Sequence, residues 1–203
     1  MVSSAIIDVI HQLRTYGLAS LAIFFYDFRD DRENDLRGLV SSMLDQLCCQ
    51  SDSYANLLYK FYLEHNNGYR RPSDDALSHC LKDLLELRGQ APIFLVVDAL
   101  DECPITSTRP SPREKVLMLL EDLVDSQLPN LLIFVTSRAQ AEIRPVLERL
   151  SFRSVALHDE DGQTKDIENY IKSVVNTNSK MRRWKLEDKQ LVIDVLSKRA
   201  DGM

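Results

Sequence analysis

Acidic side chains follow a run of apolar residues in the stretch IFLVVDALDEC, residues 93–103. Asp98 comes directly after the apolar run, and Asp101 and Glu102 follow it closely. A carboxylate beside a phosphate group can hold Mg²⁺, which keeps most of its waters and takes only one or two protein oxygens. A second acid nearby can orient or deprotonate an attacking water. The spacing therefore predicts a metal-organising carboxylate at Asp98 and catalytic candidates at Glu102 and Asp101.

A hydroxyl group and a guanidinium group follow a second apolar run, in LLIFVTSR at residues 131–138. In an open parallel sheet the carboxyl ends of the strands meet at one edge, and ligands bind there. An Arg side chain suits phosphate recognition because its planar fork is always charged and binds two oxygens at once. We therefore predict that Thr136 and Arg138 reach the same edge as the acids and contribute to a phosphate-binding gap.

Two structural interpretations of these residues stay open. Asp98 could simply end a strand, with the acids at 101 and 102 solvated in a loop. Alternatively, Arg138 could pair with Asp98 or Glu102 and neutralise it with no ligand involved.

A receiver-like phosphoacceptor site is a further alternative. Asp98 at one strand end and Thr136 at the next partly fit such a site, and Asp30 and Asp31 could act as its acidic pair. A receiver also needs a Lys that ends its last strand, and the stretch SVALHDE has none.

Short apolar runs alternate with stretches of helical periodicity along the chain. Ser73 stands directly before one helical stretch, which predicts that it is the N-cap. The pattern predicts strands at 21–28, 93–98, 131–137 and 154–158, and helices from about residue 1 to 16 and at 35–49, 52–64, 73–88, 113–126, 139–149, 164–176 and 186–200. Continuously apolar strands between helices indicate an α/β domain with a mainly parallel sheet covered on both faces.

Composition excludes several classes of function. The chain has 203 residues and a formal net charge of −6, so it lacks the basic surface expected of a protein that binds nucleic acid or a membrane surface. The four cysteines form no CxxC pair, and the four histidines lie at no spacing that would complete a zinc site with them. The N-terminus has no basic lead of a secretory signal. These features predict one cytoplasmic domain without nucleic-acid or membrane partners.

Several stretches resemble a known family. IFLVVDALDEC, REKVLMLLEDLVDSQLPNLLIFVTSR, VALHDE, DIENYI, MRRWKLEDKQLVI and SKRADGM are similar to the NACHT-type NTPase domain of fungal STAND proteins, also described as nephrocystin-like N-terminal domains. The resemblance implies a three-layer αβα fold of the P-loop NTPase (ASCE/STAND) type with strand order 5-1-4-3-2. It also implies Mg²⁺ and ATP or GTP as cofactors, and a signalling switch in longer relatives that carry ankyrin or other repeats as partner-binding modules.

The resemblance also assigns roles to the candidate residues. It implies that Asp98 binds Mg²⁺ through water, that Glu102, or else Asp101, is catalytic, and that Arg138 senses the γ-phosphate.

One part of the implied family pattern is missing from residues 1–203. None of the six glycines is followed by Lys, so the phosphate-cradling GxxxxGK[ST] loop is absent. The expectation is a single partial NACHT domain over residues 1–203, truncated before or without its Walker A strand, with residues 164–203 as helices that lead to a helical subdomain. Such a chain would bind nucleotide poorly, and the alternative is a non-catalytic protein-interaction module derived from an NTPase. We also expect the strand at 154–158 to close the sheet by pairing with 131–137.

Overall fold

The computed structural model describes residues 2–27, 29, 34–155, 161–178, 181 and 184–199, with side chains placed from residue 6 in the first helix, from 168 in the seventh and up to 197 in the eighth. The chain divides into two compact units, Met1–Leu150 and Ser151–Met203. The first unit contains α1 (Val2–Thr15), β1 (Ser20–Phe25), α2 (Leu36–Cys48), α3 (Asp52–Glu64), α4 (Asp74–Leu85), β2 (Ile93–Asp98), a 3-10 helix (Leu100–Glu102), α5 (Pro112–Asp125), β3 (Leu131–Val135) and α6 (Arg144–Leu150).

The three strands form a parallel sheet in the order β1-β2-β3. Ser20 lies opposite Ile93, and Ile93 lies opposite Leu131, so the three strands run in step from the same starting edge. Their carboxyl ends therefore reach one edge together, as the sequence predicts.

The two faces of the sheet are covered by different helices. Apolar side chains from α2, α4 and α5 form the larger core with Ala22, Leu95 and Val97 on one face. On the other face, Ile10 of α1 is buried with Leu21 of β1 and neighbouring residues of β2. This mixed α/β arrangement is compatible with the predicted αβα fold.

Short polar side chains fix where the helices begin. The Ser73 side chain accepts a hydrogen bond from the Ala76 N–H, which confirms it as the N-cap of α4. Ser111 and Glu114 form a reciprocal capping box at the start of α5, with Pro112 in the first turn.

Two glutamines, Gln46 in α2 and Gln50 just after its end, close the outer edge of β1. The side chain of Gln50 accepts from the Leu21 N–H at 2.9 Å and donates to the Leu21 carbonyl at 2.6 Å. The side chain of Gln46, one turn earlier, makes the same two bonds with Ile23 at 2.9 and 2.7 Å. The amides thus satisfy backbone groups that a neighbouring strand would otherwise satisfy.

Several predicted boundaries are wrong or only partly described; β1, for example, ends at Phe25 and not at 28. β3 ends at Val135 and not at 137, because Thr136 already bonds to the turn that follows β2. α6 begins at Arg144 and not at 139, since Pro145 fits only the first turn of a helix. Ser154 and Val155 of the predicted fourth strand are not in a strand, and residues 156–158 lie outside the described residues.

The second unit contains α7 (Asp161–Thr177) and α8 (Leu186–Arg199). Their bounds are similar to those of the helices predicted at 164–176 and 186–200. Val175 and Ile193 are its buried apolar residues among those described. Within the described residues, no helix is long and apolar enough to cross a bilayer.

Candidate functional site

Asp98 and Thr136 meet where β2 and β3 end. The parallel register places Val97 beside Val135, and the Thr136 N–H donates to the Val97 carbonyl at 2.9 Å. One residue further, the Thr136 hydroxyl donates to Asp98 Oδ1 at 2.6 Å. The predicted carboxylate and hydroxyl are therefore direct neighbours.

A left-handed residue turns the chain directly after Asp98. Ala99 has φ 56° and ψ 47°, a conformation that costs a residue with a Cβ atom about 1 kcal/mol or more. The Ala99 N–H donates to Thr136 Oγ1 at 2.9 Å, and the Leu100 N–H donates to the Thr136 carbonyl at 3.0 Å. Leu100 is fully buried. These bonds hold the turn in place, and Asp101 and Glu102 follow it in the 3-10 helix.

Asp101 ties this turn to the segment after β3. Its Oδ1 accepts from the Arg138 N–H at 3.1 Å, and its Oδ2 lies 3.5 Å from Arg138 Nε. The Asp101 side chain is only 6% exposed, whereas that of Arg138 is 84% exposed. The predicted neutralisation of Arg138 therefore occurs, but with Asp101 and not with Asp98 or Glu102. The cause is the turn at Ala99, which brings the acid at 101 under the backbone of 138.

Arg113 of α5 is hydrogen-bonded to the same turn. Its buried guanidinium donates to the Cys103 carbonyl at 3.0 Å, to the Asp101 carbonyl at 2.5 Å and to Gln140 Oε1 at 2.5 Å. Glu142 lies 3.7 Å away at the surface. One side chain therefore holds both the segment after β2 and the segment after β3.

The end of β1 brings a second ion pair to this edge. The Arg29 guanidinium donates to both oxygens of Asp27, at 2.8 and 2.6 Å, and holds the pKa of that carboxyl at about 2, below its ordinary value. The same pairing raises the pKa of Arg29, and the charge of Glu102 adds to this rise. Glu102 is therefore close enough to feel the charge of Arg29.

Buried polar groups fasten the end of β1 to the acidic turn. Asn34 is buried, and its side-chain amide donates to the Asp27 carbonyl. The Cys103 thiol donates to the Asn34 carbonyl at 3.6 Å, and burial raises its pKa to about 11. Burial also raises the pKa of the Tyr26 hydroxyl, with the nearby Cys103 thiol adding to the effect. These groups stay neutral at physiological pH and serve packing.

The described carboxylates limit the kind of metal site that this edge could form. Among the described residues, no group of three or more His, Cys, Asp or Glu side chains could enclose an ion. Asp98 uses Oδ1 for Thr136, and its second oxygen suits a water-mediated contact to Mg²⁺, which needs few protein ligands. Among the described residues, the donor set is compatible with a hydrated Mg²⁺ held through water and offers no cage of protein ligands.

The structure brings four of the five predicted site residues into two contacts, Asp98 with Thr136 and Asp101 with Arg138. Glu102 lies in the same 3-10 helix as Asp101. Asp30 and Asp31, the acidic pair of the receiver-like alternative, lie outside the described residues.

Sequence reasoning missed Arg113, although a signal for it exists. An Arg at the position three before Val116 and four before Leu117 lies on the apolar face of α5. A charged residue on such a face needs polar partners inside the fold, which could have marked it as a support for a loop.

The comparison with protein families gives one match. The family described as nephrocystin 3, N-terminal, matches over residues 1–138. No curated protein and no solved structure gives a significant match to the chain.

Proposed function

The chain belongs to the nephrocystin 3 N-terminal family, and from this premise we propose that it supplies the metal-binding and catalytic edge of a NACHT/STAND-type nucleoside triphosphatase. In longer proteins such a domain would act as a cytoplasmic signalling switch driven by ATP or GTP. The observation that carries the proposal is the 2.6 Å contact between Thr136 and Asp98, because it fixes a carboxylate at the end of the central strand.

Asp98 is the residue that would hold Mg²⁺, through water. Its Oδ1 is oriented by the Thr136 hydroxyl, which itself accepts from the Ala99 N–H, so the carboxylate is held by an ordered chain of bonds. A bound Mg²⁺ would neutralise charge on the phosphate oxygens.

Glu102 is the favoured candidate for orienting water. Asp101 is nearly buried and already accepts from Arg138, so it acts as a structural link. Glu102 is partly exposed at the same edge, where a water could reach it. The exposed guanidinium of Arg138 can contact a phosphate while its backbone stays bonded to Asp101.

The strand order supports the same assignment. In the order 5-1-4-3-2, strands 2, 3 and 4 lie side by side in the sheet, as β1, β2 and β3 do here. Residues 1–203 contain no GxxxxGK[ST] loop, so the contacts that would cradle a triphosphate are missing from them. We therefore propose that this chain alone binds nucleotide only weakly.

A non-catalytic interaction module is the second candidate. The contact between Asp101 and Arg138 favours it, because two of the predicted site charges satisfy each other without a ligand.

A titration of the labelled chain with Mg-ATP, followed by NMR, separates the two functions. We expect amide shifts confined to residues 98–102 and 136–138, with a dissociation constant weaker than ~100 μM, or about −5.5 kcal/mol. Asp98→Asn should abolish the shifts, whereas Asp125→Asn, a control at the exposed end of α5, should keep them.

Two results would count against the proposal. Absence of shifts at millimolar Mg-ATP would favour the interaction module. Binding much tighter than that limit would show that the chain has a phosphate cradle of another kind.

A further inference from the structure

A pair of basic residues precedes Ser73, in the stretch RRPS at residues 70–73. Arg70 and Arg71 lie three and two residues before Ser73, and no other Ser or Thr of the sequence has Arg or Lys at both of these positions. Protein kinases select substrates partly by such charge patterns. Two Arg side chains suit an acidic substrate-binding surface, because each guanidinium can bind a carboxylate through two hydrogen bonds.

The stretch is accessible in the part of the chain that the structure describes. The side chains of Arg70, Arg71 and Ser73 are all exposed. Residues 71–73 lie in neither a helix nor a turn, and Ser73 has φ −72° and ψ 165°, an extended conformation. The residues after Ser73 belong to the first turn of α4, and helix ends fray readily. An enzyme can therefore reach the hydroxyl without unfolding the domain.

Ser111 provides a comparison within the same chain. The sequence Arg-Pro-Ser occurs at 109–111 as well as at 71–73, and both serines cap a helix. Ser111, however, is only 2% exposed. Glu114 pairs with Arg109 and accepts from the Ser111 N–H at 2.7 Å, so both the Arg and the Ser of that stretch are engaged. The fold thus covers one Arg-Pro-Ser stretch and exposes the other.

Two cations lie beside the start of α4, where a phosphate on Ser73 would stand. The Arg37 guanidinium donates to the Pro72 carbonyl at 2.7 Å and pairs with Asp74 Oδ1 at 2.7 Å, so it contacts the residues on both sides of Ser73. Lys115 Nζ lies 3.8 Å from Asp74 Oδ2. Arg, Lys and the N–H groups of a helix start all stabilise a phosphate.

We propose that Ser73 is a phosphorylation site for a basic-directed serine kinase, and that Arg37 and the start of α4 hold the phosphate. This inference is independent of the proposed function. Ser73 Oγ forms a bond to the γ-phosphorus of ATP, the bond from that phosphorus to the departing ADP breaks, and the hydroxyl proton passes to the catalytic Asp of the kinase. The phosphate then competes with Asp74 for Arg37 and strengthens the link between the starts of α2 and α4.

Phosphorylation of the purified 203-residue chain tests the site. We expect cyclic-AMP-dependent protein kinase with ATP to transfer about one phosphate per chain, which mass spectrometry should locate on Ser73 and not on Ser111. Arg70→Ala and Arg71→Ala should each lower the initial rate by about tenfold, because a charge-assisted contact with the kinase is lost. Arg88→Ala, a control that removes an exposed Arg after the other end of α4, should leave the rate unchanged.

A cap-preserving variant separates loss of the hydroxyl from loss of the fold. Asn caps a helix about as well as Ser but offers no hydroxyl to a kinase. Ser73→Asn should therefore take up no phosphate, while its thermal unfolding midpoint stays close to that of the unchanged chain.

Hydrogen exchange tests where the phosphate is held. The Ala76 N–H donates to Ser73 Oγ at 3.1 Å in the unmodified chain. Phosphorylation should slow exchange of this N–H by about threefold, because a negative charge stabilises the first turn of a helix. In Arg37→Gln the slowing on phosphorylation should be smaller, whereas the control Lys60→Gln, at an exposed position of α3, should keep it.

Three results would overturn the proposal. These are the absence of phosphate on Ser73, rates that are unchanged in both Arg variants, and exchange at Ala76 that phosphorylation does not slow or slows equally in Arg37→Gln. The Mg-ATP titration reports on residues 98–102 and 136–138, so either proposal can fail without the other.

Discussion

β1 and β3 flank the same central strand, yet their surroundings give them different properties. The outer edge of β1 is closed by Gln46 and Gln50, and its last residues lead into an exposed ion pair. Among the described residues no strand pairs with the outer edge of β3, and the segment after β3 carries a hydroxyl and a guanidinium that contact Asp98 and Asp101. Apart from Ser20, both strands consist of apolar residues. The comparison shows that side chains packed alongside β1, and not the sequence of the strand itself, close its outer edge.

The largest effect is expected when the closed edge is opened. Replacing both Gln46 and Gln50 by Ala leaves partly buried N–H and C=O groups of β1 without their amide partners. We expect urea unfolding to show a loss of about 3 kcal/mol. The outer edge of β1 should then be unprotected, so light scattering should detect more association than with the unchanged chain.

Gln12→Ala, on an exposed position of α1, is the matched control and should change little. A loss below about 1 kcal/mol in the double variant would mean that water replaces the glutamines without cost.

A smaller effect is expected at the end of β3. Thr136→Val keeps the shape of the side chain but removes the hydroxyl that links Asp98 to the Ala99 N–H. We expect the free energy of unfolding to fall by about 1 to 2 kcal/mol, since the partly buried Ala99 N–H and the Asp98 carboxylate each lose a partner.

Thr136→Ser retains the hydroxyl and should recover most of this loss. Equal stability of the Val and Ser variants would show that the hydroxyl bonds contribute nothing.

The smallest effect is expected at the end of β1, where the Asp27–Arg29 pair is exposed. The pKa of Asp27, about 2, is lower than the ordinary ~3.9, so the carboxylate form is favoured in the folded state. The stabilisation is present above about pH 4 and is lost as the pH falls toward 2.

Carboxyl NMR titration of Arg29→Ala should show the Asp27 pKa returning toward its ordinary value, while the control Arg14→Ala leaves it low. Urea unfolding at pH 7 should hardly change, because surface ion pairs contribute little. An unchanged Asp27 pKa in Arg29→Ala would disprove the pairing.

Much of the candidate site could be predicted from the sequence. Apolar runs identify β2 and β3, and the rule for parallel sheets brings their ends together, which is why Asp98 and Thr136 were expected at one edge. The partner of Arg138 could not be predicted, because Ala99 adopts a left-handed conformation that alanine rarely adopts.

The closure of the outer edge of β1 could not be predicted from the sequence either. Gln46 and Gln50 have the spacing of polar residues on an ordinary amphipathic helix, and only the tertiary contact between α2 and β1 gives them their role. The start of α6 was missed because residues 139–143 have helical periodicity, although 139 and 140 are irregular and 141–143 form a turn. Pro145 should have indicated the first helical turn.

The guanidinium of Arg113 has a mechanical consequence. It donates to the carbonyls of Asp101 and Cys103, so both carbonyls are attached to α5. A displacement of α5 along its axis would therefore move the turn that carries Asp101 and Glu102. A partner that binds and shifts α5 would therefore change the positions of these two carboxylates.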